Sequence, residues 1–116
     1  MSELLTAIAV RDREGLEGLL AEDAVFHSPV QTYRGRDQII HLFVTIGGIL
    51  ESVEETRAVD GVTFFHAQVE EHPLDGILDE HTGADGRVTE VTMMLRPLAS
   101  LQASVARLTR ALADPD

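Results

Sequence analysis

The apolar residues change their spacing several times along the chain, and those changes divide it into elements. Leu4, Leu5 and Ile8 stand at helical intervals behind Ser2, whose hydroxyl can accept from the first free N–H groups of a helix; Leu16, Leu19 and Leu20 do the same behind Asp12. Two short helices are expected, the second weakened by Gly15 and Gly18. A β-prone run, Ala24-Val25-Phe26-His27-Ser28, follows and is stopped by Pro29, which has no N–H to give to a ladder. After Tyr33-Arg34, Gly35 breaks the strand and Asp37 sits where a carboxylate steadies a helix start. Ile39, Ile40, Phe43, Ile46 and Leu50 then mark one face of a long helix. Gly47-Gly48 interrupts that face, so the helix is expected to bend or end there; the competing reading is that the glycines let a ligand or strand approach the backbone.

From Ser52 the period is two. Residues 53–59 alternate, Asp60-Gly61 is a strong hairpin signal, and Val62 to Glu70 returns as the paired strand. Glu71-His72-Pro73 reads as a second turn, Leu74 to His81 as a third strand, residues 82–86 as a third turn and Arg87 to Arg96 as a fourth strand. Phe65, Ala67, Val69, Val91, Met93 and Leu95 fall on one face of this meander, and Phe64, His66, Glu90, Thr92, Met94 and Arg96 on the other. The first face suits a core covered by helices. The apolar content of the second calls for cover from elsewhere, and a homodimer through that face is expected. Pro97 then opens a closing helix with Leu98, Leu101, Val105, Leu108 and Leu112 on one stripe, expected to dock on its own domain, and residues 113–116 should fray. The fold class is α+β: a single domain over residues 1–116, with a curved, mostly antiparallel sheet packed on N-terminal helices and a C-terminal helix.

The order of "AEDAVFHSPV", "YRGRDQI", "ADGRV" and "MLRPL" resembles the nuclear-transport-factor-2-like superfamily, in particular its small bacterial SnoaL-like members, over roughly residues 12 to 102. The resemblance implies a cone in which helices and a curved sheet enclose a pocket. It also implies a test for chemistry. Ketosteroid isomerisation in this superfamily uses an Asp base together with a Tyr and a protonated Asp as oxyanion donors. The base of the family's "DPV" falls on Ser28, the tyrosine on Leu4 and the second acid on Leu78, or on Asp79 after a one-residue slip. Serine is no base near neutral pH and leucine donates no hydrogen bond.

Composition narrows the function further. With 44% apolar residues the chain is globular, and 20 acidic against 9 basic residues give a net charge of −11 that repels nucleic acid and anionic lipid. The absence of cysteine removes thiol catalysis and thiolate metal sites. The first ten residues lack a basic start and include Glu3, so they read as a helix and not as a leader; no apolar run is long enough for a membrane span, and a cytoplasmic location is expected.

The expected pocket lining is Phe26, Ser28, Tyr33, Phe43, Phe65, Val91 and Met93, with Tyr33 placing its hydroxyl at the mouth. His27 should face away from Ser28, His41 lies beside the apolar stripe of its helix, and His66 belongs to the outer face. Glu90 and Arg96 are expected to pair across that face. Glu70, Glu71, His72, Asp75, Asp79, Glu80 and His81 are close in sequence but lack ligand spacing on one helix face, so a solvated turn is expected, with neither metal nor cofactor. Three functions follow: a protein binding a small apolar molecule, an acid–base enzyme of isomerase, cyclase, dehydratase or epoxide hydrolase type, or a dimerisation module with a filled core. The first is preferred.

Overall fold

A computed structural model describes residues 2–113. Helix α1 (Glu3–Ala9) is capped by Ser2, whose hydroxyl accepts from the Leu5 N–H at 3.1 Å, and α2 (Arg13–Leu19) by Asp12, which accepts from the Gly15 N–H at 3.0 Å. Leu20 opens β1 (Leu20–His27), four residues earlier than the β-prone run alone indicated. The chain turns back as β2 (Thr32–Arg34), a three-residue strand too short to show an alternation in the sequence. Helix α3 (Arg36–Ile49) follows, then β3 (Glu51–Val59), β4 (Val62–Val69), β5 (His72–Thr82), β6 (Val88–Arg96) and α4 (Leu98–Ala113).

The strands form one open sheet in the order β2-β1-β6-β5-β4-β3. All neighbours are antiparallel except β1 and β6, which run parallel with Phe26 beside Val91. Asp60 and Gly61 turn the β3–β4 hairpin with φ of 47° and 83°, as a type I′ turn requires. The next turn lies on Glu70-Glu71, both at positive φ, and not on Glu71-His72-Pro73. His72 and Pro73 already pair with Val69 and Gln68, so Pro73 occupies the start of β5, where a missing N–H is tolerated. Register shifts in β1 and β3 bend the sheet, as extra residues in a strand do.

The inner face carries Phe65, Ala67, Val69, Leu78, Val91 and Met93, all buried against α1 and α3 in one apolar core. The α3 helix ends at Ile49, one residue past Gly48, as expected of its glycines. What comes close to the backbone there is α1, rather than a ligand or strand: a Cβ on Gly47 would lie 1.9 Å from the Ile8 carbonyl oxygen. Helix α4 docks on its own domain. Ser100 Oγ donates to the Pro73 carbonyl at 2.6 Å near its start, and Arg110 meets Glu70 at 3.0 Å near its end, an exposed pair worth little by itself.

On the outer face, cross-strand register sets Phe64, Ile77 and Met94 side by side, with the Arg57 guanidinium 5.6 Å from the Phe64 ring centre. Glu90 and Arg96 do not pair. They are six residues apart on one strand, roughly 20 Å, and each is held by a neighbouring strand instead: Arg96 by Asp75 at 3.1 Å, Glu90 by His27 at 2.6 Å.

Glu80 sits half-buried on β5 and accepts from the Ser2 hydroxyl at 2.9 Å. Its carboxyl holds its proton more tightly than an ordinary glutamate, chiefly because burial disfavours the charge; Asp79 and Glu3 add to this and the Ser2 bond opposes it. A folded-state value above the unfolded one means that stability is lost as pH rises from the ordinary carboxylate range through the raised value. Glu80→Gln keeps an acceptor for Ser2 and removes the charge. It should therefore be more stable than wild type at pH 7, with the gap closing as pH falls toward 4.5, as measured by thermal melts across that range.

Candidate functional site

A cavity of about 290 Å³ opens between the inner end of the sheet, α3 and α4. The sheet contributes Phe26, Tyr33, Met93 and Leu95; α3 contributes Leu42, Ile46 and Ile49, followed by Leu50. The 28–31 loop closes one end, and Leu101, Ser104, Val105, Leu108, Thr109 and Leu112 of α4 form the facing wall. The sequence puts it there because β1 ends at His27, two residues before Pro29, and α4 presents its stripe to the part of the inner face that α1 and α3 leave bare. Pro29, Val30 and Leu112 are exposed, so the rim is apolar as well as the interior.

Of the residues named from the sequence, Phe26, Ser28, Tyr33 and Met93 line this cavity. Phe43, Phe65 and Val91 do not reach it: each is fully buried in the packed core, Phe43 edge-on to Phe26 with ring centres 4.7 Å apart. Most of the α4 wall was read only as a docking stripe, since its spacing shows an apolar face without showing what lies opposite.

The polar groups on the wall are mostly committed. Ser28 Oγ donates to the Gln31 carbonyl at 2.7 Å and accepts from the N–H groups of Val30 and Gln31, so it ties the β1–β2 loop. Ser104 Oγ donates to the Ser100 carbonyl and Thr109 Oγ1 to that of Val105, each at 2.8 Å. The Tyr33 hydroxyl accepts from Gln31 Nε2 at 2.7 Å, and its ring stacks on Phe26 at 6.2 Å. Tyr33 is the one ionisable residue among those lining the cavity. Leu4 and Leu78, at the positions where the resemblance would put catalytic groups, are buried in the core.

The histidines lie elsewhere. His27 bridges Thr32 and Glu90, His66 pairs with Asp75, His81 is 3.6 Å from Asp79, and His41 is exposed on α3. Among the described residues no group of three His, Asp or Glu side chains is arranged to hold a metal ion. No helix there is long and apolar enough to cross a membrane.

An open α+β sheet with helices on one face, a closing C-terminal helix and an apolar cavity between them defines the class. Residues 1–96 match the SnoaL-like domain family, and the chain belongs to that family within the NTF2-like superfamily. Among solved structures it resembles one described as a steroid delta-isomerase from Pseudomonas aeruginosa, at 35% identity over 96% of this chain and 87% of that one, with a TM-score of 0.86. A protein of cystatin-like fold from Silicibacter pomeroyi superposes with a TM-score of 0.91 at 20% identity, covering 97% of this chain and 84% of that one. An NTF2-like protein from Cytophaga hutchinsonii gives 0.66 at 12% identity, over 82% and 85%. The last two speak for the fold alone. No curated protein matches the chain.

Proposed function

We propose that the protein binds a small, largely apolar molecule in the cavity between the sheet, α3 and α4. The observation that carries this reading is the wall itself: apolar on nearly every side, near the lower end of the size of small-molecule sites, and with its serine and threonine hydroxyls already donating to backbone carbonyls. Val105→Phe puts a ring into the cavity from the α4 side. Binding of an apolar probe such as 2-ethylnaphthalene, followed by calorimetry, should weaken by at least roughly tenfold, while filled space leaves the melting temperature unchanged or slightly higher. Unchanged affinity in this variant would place the ligand elsewhere.

The 35% identity to the steroid delta-isomerase favours a second reading, an acid–base enzyme. That chemistry needs a base within reach of the substrate, and the wall offers no carboxylate or imidazole to serve as one. Turnover of a ketosteroid by the purified protein would favour the enzyme over the binding protein.

A homodimer through the outer sheet face belongs to the same proposal. Met94 is 59% exposed beside Phe64 and Ile77, and a second copy would cover this row. In a chain of charge −11, this face sets Arg57 and Arg96 among Asp75, Asp79 and Glu90, so two copies meet there with less repulsion than over the more acidic rest of the surface. Wild type should sediment as a dimer at micromolar concentrations. Met94→Lys should shift it to monomer with a change in subunit stability within about 0.5 kcal/mol, because the side chain is exposed in the single subunit. A monomeric wild type would overturn the dimer and leave the cavity reading intact.

A further inference from the structure

We infer that the ligand of this cavity is an uncharged molecule with an apolar body and a hydrogen-bond acceptor at one end, received by the Tyr33 hydroxyl. The inference rests on the binding reading above and adds the chemistry of the ligand to it. Each hydroxyl on the wall has one proton to give. Ser28, Ser104 and Thr109 give theirs to the carbonyls of Gln31, Ser100 and Val105. Tyr33 differs: its oxygen accepts from the Gln31 amide at 2.7 Å, which fixes the hydroxyl and leaves its own proton uncommitted. Stacking on Phe26 holds the ring, so the donor is positioned before a ligand arrives and little ordering is lost on binding.

The same wall argues against a charge. It carries no carboxylate, guanidinium or imidazole, and a charge moved from water into such a site goes unpaired. Tyr33 lies near the 28–31 loop that closes one end, whereas Leu42, Ile46, Leu101 and Val105 supply only hydrocarbon. The polar atom of the ligand therefore sits at the loop end, and its body lies between α3 and α4. A ketone, an ester or an ether on a compact hydrocarbon frame meets this description; a carboxylate or an amine does not.

Three probes of one shape test it: 2-acetylnaphthalene, 2-ethylnaphthalene and 2-naphthoate, titrated calorimetrically into wild type and Tyr33→Phe at neutral pH. The variant keeps the ring and its stacking and removes only the hydroxyl. One neutral hydrogen bond corresponds to about three- to tenfold in affinity. The ketone should weaken by that factor in Tyr33→Phe while the hydrocarbon binds both proteins equally, which also shows that the variant is folded. The naphthoate should bind neither protein measurably. Equal ketone affinity in the two proteins, with hydrocarbon binding retained, would overturn the Tyr33 assignment and leave the cavity reading standing; this is also the result if the Gln31 carbonyl, rather than its amide, faces Tyr33. Naphthoate binding as tight as the ketone would overturn the neutral ligand class. Failure of both neutral probes to bind wild type would overturn the cavity reading and this inference together.

Discussion

Phe26→Ala should lower the stability of the domain by about 3–5 kcal/mol, the range for removing a fully buried aromatic ring. Phe26 is 0% exposed and touches three parts of the fold at once: Phe43 of α3 edge-on at 4.7 Å, Tyr33 of β2 in a stack at 6.2 Å, and the cavity on its remaining side. The space left by the ring would join the existing cavity, and the rigid sheet around it offers little means of collapse. Domains of this size have about 5–15 kcal/mol in all, so the variant should sit close to the edge of folding. Urea unfolding measures it. A loss under about 1 kcal/mol would mean that the ring is not the keystone described, since only a site able to close around the gap could give so small a value.

Gly47→Ala should destabilise by about 2–3 kcal/mol, the scale of forced overpacking, although helix propensity by itself predicts a gain of about 1 kcal/mol for the same change. The sign is decided by the neighbour. A methyl group at this position would sit 1.9 Å from the Ile8 carbonyl oxygen and 3.0 Å from its carbon, and backbone in a buried helix crossing cannot move aside without α1 shifting as a whole. Gly48→Ala is the control, one residue along and exposed. Its methyl would meet only the Arg11 guanidinium end, 3.2 Å away on a flexible side chain, so the propensity gain should survive there, up to about 1 kcal/mol. Equal effects of the two substitutions in denaturant unfolding would contradict the close packing of α1 on α3.

These two cases also mark what the sequence could and could not convey. The four helices and the four-stranded meander were legible because each element runs for seven residues or more, long enough to carry an apolar period, and because Ser2, Asp12 and Asp60-Gly61 are residues whose side chains or backbone dictate a cap or a turn. Strand β2, with three residues, contains no period to read, and the Glu70-Glu71 turn uses residues that carry no turn signature. Gly47 was visible as a break but not as a contact, since the partner, Ile8, is far away in the chain. The cavity shows the same division. Phe26 and Met93 were within reach of the alternation on their strands, Ser28 of the resemblance and Tyr33 only of its amphipathic ring, whereas Phe65 and Val91 on the inward face and Phe43 on α3 lie deeper, where α1 and α3 already fill the space. Position along a strand separates wall from core, and alternation records only the face.

Helix α4 shapes the site more than its place in the sequence suggests. It follows the segment matched to the SnoaL-like domain, residues 1–96, yet it supplies six of the cavity's lining residues. Ser100 and Ser104, buried on its inner side at 2% and 8% exposure, allow the helix to lie close to β5, and the cavity forms further along, where larger side chains hold the helix off the sheet.

The most direct test of the central claim is a titration of the methyl-labelled protein with 2-ethylnaphthalene, followed by the carbon–proton spectrum of its Ile, Leu, Val and Met methyl groups. Saturable shifts should appear together at Leu42, Ile46, Met93, Leu101, Val105 and Leu108, while Ile77 and Met94 on the outer face and Leu4 and Leu78 in the core stay in place. No saturable shift, or shifts centred on Ile77 and Met94, would contradict it.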